Sequence, residues 1–153
     1  MASWKKRVPI VRQSVARREI FEIEFRLELR TVASAWESAT FLLDTGSQFT
    51  TVAIAAAERL CIPFAATRPV RIEGTTGSAP GFLSPLWFSF FDLPNLQFES
   101  SCCFSTARME RSLLSLTDLL RHFTLRTLLP SHLHPLGSVL VQLRADHQGV
   151  PRR

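Results

Sequence analysis

Cysteine is scarce and badly spaced for a disulfide framework: the 153-residue chain carries only Cys61, Cys102 and Cys103, an odd number with two of them adjacent. That pattern reads as buried structural thiols in a reducing, cytoplasmic compartment. Long apolar runs are missing too. No stretch approaches the roughly 20 apolar residues of a membrane-crossing helix, so no membrane partner is expected. Near the start, Val8-Pro9-Ile10-Val11 runs into Arg12, far short of the apolar core of an export signal. Acidic residues are absent until Glu19, and Lys5, Lys6, Arg7, Arg12, Arg17 and Arg18 all precede it in a chain of net charge +5. Such a stretch can touch nucleic acid, but no aromatic stacking platform accompanies it. It reads as a solvated, weakly ordered basic arm over residues 1–17, with no nucleic-acid partner. Internal repeats and low-complexity tracts are absent as well.

What is present fits one ordinary domain with a real core. Phe, Val, Ile and Thr dominate many stretches, which favours strands. From Phe21 to Leu29 apolar residues fall on odd positions and polar ones on even positions, the pattern of a half-buried strand. A turn over Ser34–Ser38 leads to the short apolar strand Thr40–Leu43. Val52 to Leu60 suits a short helical segment stopped by Pro63. Arg68–Glu73 and Phe82–Phe90 read as strands flanking the glycine-rich connection Gly74–Gly81, a hairpin tip. Further strands are expected at Leu96–Phe104 and Leu113-Leu114, then a short helix over Thr117–His122 with Thr117 as N-cap. Segments 123–129 and 139–143 suit a closing hairpin. The expected fold is all-β with one or two short helices, a domain over 18–145 and a polar tail over 146–153.

The sharpest local feature is Phe41-Leu42-Leu43-Asp44-Thr45-Gly46-Ser47. An ionisable residue directly after an apolar run is costly to bury unless it is hydrogen-bonded or paired. Gly46 permits a tight turn, and Thr45 and Ser47 bring hydroxyls able to hold a carboxylate. The segment is built to deliver one acid onto a narrow, hydrogen-bonded turn. Asp-Thr-Gly alone is also a common turn sequence.

The surrounding order of elements resembles the retropepsin family, the single-lobe relatives of pepsin, over roughly residues 19–143. The resemblance rests on Asp44-Thr45-Gly46-Ser47 followed by Ala57-Glu58-Arg59-Leu60-Cys61-Ile62-Pro63, on the hairpin around Thr75–Ser78 where the family has its flap, and on Leu113-Leu114 followed by Asp118-Leu119-Leu120-Arg121-His122-Phe123. It implies a retropepsin-like closed β-barrel, with Asp44 catalytic and Thr45, Gly46 and Ser47 supporting its loop. Thr75, Thr76, Gly77 and Ser78 would be flap residues, and Leu114, with Leu43, Val52 and Phe82, floor or wall. The implied activity is that of an aspartic endopeptidase on an extended polypeptide substrate, with no cofactor. The family's two carboxylates share a proton; one activates water and the other polarises the scissile carbonyl. Only one Asp-Thr-Gly is present, so the resemblance implies a homodimer with Asp44 from each copy on the two-fold axis. Asp92, Asp118 and Asp146 suit a turn, a helix start and a tail. His132 and His134 flank Leu133 beside two prolines without a third ligand, so no metal site is expected.

Two departures from the family pattern bear on activity. Ser115 and Leu116 stand where the family commonly has Gly then Arg, and Gln48 where an Asp often pairs with that Arg. Both charged partners are missing together, but the Ser115 side chain needs space beside the catalytic loop. The alternative is therefore a catalytically impaired dimer of the same fold that binds peptides or proteins. A Ser47 hydroxyl donating to the Asp44 carboxylate would favour its ionised form and shift the pH optimum towards acid.

Overall fold

A computed structural model describes residues 4–62, 68–74, 77–93, 95–109, 111–146 and 150–151. The chain is mostly strand, and the strands join one 11-stranded sheet. In chain order they are β1 (Lys5–Val15), β2 (Arg18–Arg30), β3 (Trp36–Asp44), β4 (Thr50–Ala53), β5 (Arg68–Gly74), β6 (Gly77–Phe90), β7 (Leu96–Ser105), β8 (Ser112–Ser115), β9 (Phe123–Leu128), β10 (Ser138–Leu143) and β11 (Val150–Pro151). Among the described residues two short helices, α1 (Ile54–Arg59) and α2 (Leu116–His122), follow β4 and β8. Among the described residues no helix is long and apolar enough to cross a membrane.

The alternation in β2 behaves as its sequence dictates: Phe25, Leu27 and Leu29 are buried and pair across to β3, with Phe25 opposite Phe41. Strand order runs β5-β6-β7-β4-β8-β3-β2-β1-β10-β9, and β2 pairs a second time with β6 through Leu27↔Phe90 to Leu29↔Phe88. The core is rich in phenylalanine. Phe90 and Phe98 each meet Phe123 with ring centroids 4.9 Å apart and tilted planes, the edge-to-face geometry that aromatic quadrupoles favour.

Residues 5–15, expected as part of a weakly ordered arm, are instead a full sheet member. The first half of β1 pairs with β10 (Lys5↔Gln142 to Pro9↔Ser138) and the second half with β2 (Ile10↔Ile23 to Val15↔Arg18). The sheet therefore begins before residue 18. It also reaches into the expected tail, where Val150 pairs with Gln97. Thr117 is not an N-cap: α2 starts one residue earlier, and Ser115 occupies the cap with no side-chain capping bond. The closing hairpin is present as β9 and β10. Gly137, at its turn, has φ +92°, and a Cβ there would lie 2.9 Å from the Leu128 carbonyl oxygen, so only glycine fits. Pro63, expected to stop α1, lies outside the described residues; α1 ends at Arg59.

Candidate active site

β8 lies between β3 and β4. It runs parallel to β3, pairing Leu43↔Leu114 and Asp44↔Ser115, and antiparallel to β4 at Thr51↔Leu113. The five residues from Thr45 to Phe49 must therefore cross the end of β8, and Asp44 is the last residue before that crossing. The local sequence explains the stop. Phe41 is fully buried in the core, whereas Asp44 is half-buried and Thr45 and Gly46 are exposed.

The turn is held by hydrogen bonds from both sides. Gly46 N donates to Asp44 Oδ1 at 2.9 Å. Ser115 Oγ donates to the Ser47 carbonyl oxygen at 2.8 Å, and Ser115 N donates to Thr50 Oγ1 at 3.2 Å. Thr50 is fixed in turn by Asp118, whose Oδ2 accepts from Thr50 N and Oγ1. Ser115, expected to crowd the loop, is wholly buried and is instead one of its supports. Among the described residues nothing requires glycine at 46 for space, since a Cβ there would meet only Asp44 Oδ1, at 3.5 Å.

Ser47 does not do what its position suggested. Its hydroxyl donates to the Phe49 carbonyl oxygen at 2.6 Å rather than to the Asp44 carboxylate. A short turn offers that carbonyl two residues on, a local partner that Ser hydroxyls commonly take. The basis for an acid-shifted optimum is thereby removed.

Asp44, Gly46 and Ser47 open into a cleft of about 700 Å³. Thr51 and Leu113 form its near wall, the β5–β6 hairpin contributes Ile72, Glu73, Gly77, Ser78 and Ala79, and the segment after β7 contributes Ser105, Ala107, Arg108 and Met109. Of the expected flap residues, Gly77 and Ser78 line the cleft; Thr75 and Thr76 lie outside the described residues. A hairpin is present there, but register pairs Gly74 with Gly77 and Val70 with Gly81, so β6 begins at Gly77 inside the connection expected over 74–81. Leu114 is not a wall residue. It is 1% exposed and packs in the core, while its neighbour Leu113 faces the cleft, because successive side chains on a strand point to opposite faces. Val52 is likewise core, and Leu43 and Phe82 are half-buried outside the cleft lining. The wall after β7 was missed; its sequence signal is a break in the apolar pattern at Thr106–Met109.

Two other carboxylates are occupied elsewhere. Asp92 pairs with Lys6 at 2.9 Å, and Asp146 with Arg144 at 2.8 Å. Burial pushes the Cys102 and Cys103 thiols above their ordinary range, which suits packing rather than nucleophilic work. Among the described residues no cluster of three His, Cys, Asp or Glu could hold a metal ion.

No family model matches the chain, and no curated protein matches it in sequence. Its fold is similar to the crystal structure of a retropepsin-like aspartic protease from Rickettsia conorii, at 13% identity and a TM-score of 0.58 over 94% of this chain and 95% of that one.

Proposed function

We propose that the chain is an aspartic endopeptidase of the retropepsin type, active as a homodimer in which each copy supplies Asp44. The observation that carries this reading is Asp44 itself, a half-buried carboxylate on a hydrogen-bonded turn in a cleft that a hairpin lines. The fold shared with a retropepsin-like protease supports it. So does the second β2–β6 pairing, which fits the closed barrel of that architecture.

The chemistry needs two carboxylates close enough to share one proton. The ionised one takes a proton from water as the water attacks the peptide carbonyl; the protonated one polarises that carbonyl and then helps protonate the leaving nitrogen. Asp118, Asp92 and Asp146 are bound elsewhere, and Glu73 belongs to the hairpin. A second copy of the Asp44 loop is the fitting source, and the exposed Thr45 and Gly46 leave that loop open to one. An extended polypeptide would lie between hairpin and floor, bound by main-chain hydrogen bonds. Cys61, Cys102 and Cys103 are all free thiols, in keeping with a reducing, cytoplasmic setting.

The test is cleavage of an unfolded protein from acid to neutral pH by wild type and Asp44→Asn, with a pepstatin-type inhibitor added. Cleavage by wild type that the inhibitor and the substitution both abolish is expected. A folded dimer that binds peptide but cleaves none in either form would instead identify a binding module of the same fold.

A further inference from the structure

The cleft wall after β7 is anchored at both ends. At one end Thr106 donates to the Pro80 carbonyl oxygen of β6 from its N at 3.1 Å and its Oγ1 at 2.8 Å. At the other end Arg111 reaches Glu22 at 2.7 Å, Glu24 at 3.0 Å and Gln13 at 2.8 Å. Between the anchors, Arg108 lines the same cleft as Asp44.

The two arginines of this segment are used differently. Arg111 is saturated by acceptors, whereas among the described residues no carboxylate lies within ion-pair distance of Arg108. Among the described residues the cleft's other titratable side chains are Asp44 and Glu73. Asp44 accepts from the Gly46 amide. Arg71, two residues before Glu73 on β5, donates to Ser78, the residue opposite Glu73 in the β5–β6 register. Among the described residues Arg108 makes no ion pair, and it sits on a segment fixed to the hairpin stem and to β1 and β2. A guanidinium presented in this way matches a carboxylate, to which it can donate two parallel hydrogen bonds. The net charge of +5 acts in the same sense, drawing acidic polypeptides from a distance.

We propose that Arg108 is a specificity-determining residue that favours an acidic side chain at one position of the bound polypeptide. The proposal rests on the peptide-binding cleft described above, so its test separates binding from cleavage. An uncharged extended peptide and a series with one Glu moved through its positions are titrated against the Asp44→Asn chain, with and without Arg108→Gln. One Glu position should bind about fivefold tighter than the uncharged peptide, the size an exposed ion pair reaches. That gain should fall to about onefold with Arg108→Gln, shrink with added salt, and pass to a Lys at the same position with Arg108→Glu. No favoured position, a gain that survives Arg108→Gln, or no binding by any peptide would overturn it. If the Glu gain depends on Arg108 while wild type cleaves no peptide, the endopeptidase reading falls and the specificity of the cleft stands.

Discussion

The Asp118 carboxylate holds Thr50 at two points: Oδ2 accepts from Thr50 N at 2.9 Å and from Thr50 Oγ1 at 2.8 Å. Asp118 lies in the first turn of the helix after β8, and Thr50 begins the strand after the Asp44 turn, so the contact fastens the two segments that bracket the candidate site. Both residues are buried, at 3% exposure each, and water cannot replace either partner.

Asp118→Ala should therefore destabilise the chain by about 3 kcal/mol, because it strands two buried donors. Asp118→Asn keeps an oxygen that can accept both bonds and loses only the charge assistance, an effect of about 1 kcal/mol. Denaturant midpoints at unchanged slope measure the difference. Equal losses in the two variants would mean that the carboxylate's charge, not its acceptor geometry, holds the site.

Ser115→Gly should weaken rather than improve the site. Serine at this place departs from the family pattern, and steric reasoning alone would make glycine the repair. The structure gives the hydroxyl a partner, the Ser47 carbonyl oxygen at 2.8 Å. Losing that bond, and adding glycine's backbone freedom within a strand, should cost about 1–2 kcal/mol. Peptide cleavage should slow as the Asp44 turn loosens. Faster cleavage by Ser115→Gly would show that the side chain crowds the turn.

Much of this arrangement was legible in the sequence, and the exceptions share a cause. Period-two alternation marked β2, the apolar run ending at Asp44 marked the candidate acid, and the glycine-rich stretch Gly74–Gly81 marked a hairpin. What one sequence does not show is which distant segment a strand will meet. Residues 1–17 read as a solvated arm because six basic residues precede the first acid; the order of Lys5–Pro9 comes from β10, more than a hundred residues away. Leu113 and Leu114 are chemically identical, and only the pairing of β8 with β3 and β4 decides which faces the cleft. Asp118 fits a helix's first turn by sequence, while its buried partner Thr50 lies 68 residues earlier.

The β1–β2 turn was hidden for a local reason, which also makes it testable. Val15↔Arg18 is the last pair of the hairpin, and Ala16 and Arg17 between them have φ of 49° and 64°. Two successive left-handed residues form the turn that hairpins favour, but Asn-Gly is its usual sequence. Ala and Arg pay roughly 1 kcal/mol each for that conformation. Replacing Ala16-Arg17 with Asn-Gly should raise stability by about 1–2 kcal/mol, read as a higher denaturant midpoint. No gain would mean that the turn relaxes away from this geometry in solution.

Cys102 and Cys103 should make stability fall in alkali. They are adjacent on β7, 0% and 1% exposed. Burial raises the Cys102 thiol well above its ordinary value of 9.0, with Cys103 and Asp118 nearby acting in the same direction. Burial raises Cys103 as well. In the unfolded chain both thiols ionise near that ordinary value, while the folded chain keeps them protonated. Unfolding thus releases protons in alkali, so their contribution is whole below about pH 9 and declines as pH rises above it, by at most about 1.4 kcal/mol per unit for each thiol. The chain has no tyrosine, so phenol ionisation cannot imitate the effect. Denaturant midpoints should drop between about pH 8 and about pH 10 in wild type. The Cys102→Ala/Cys103→Ala variant should start lower, from the small cavities it leaves, and hold a flatter profile. A slope as steep as wild type in that variant would place the alkaline sensitivity in the lysines instead.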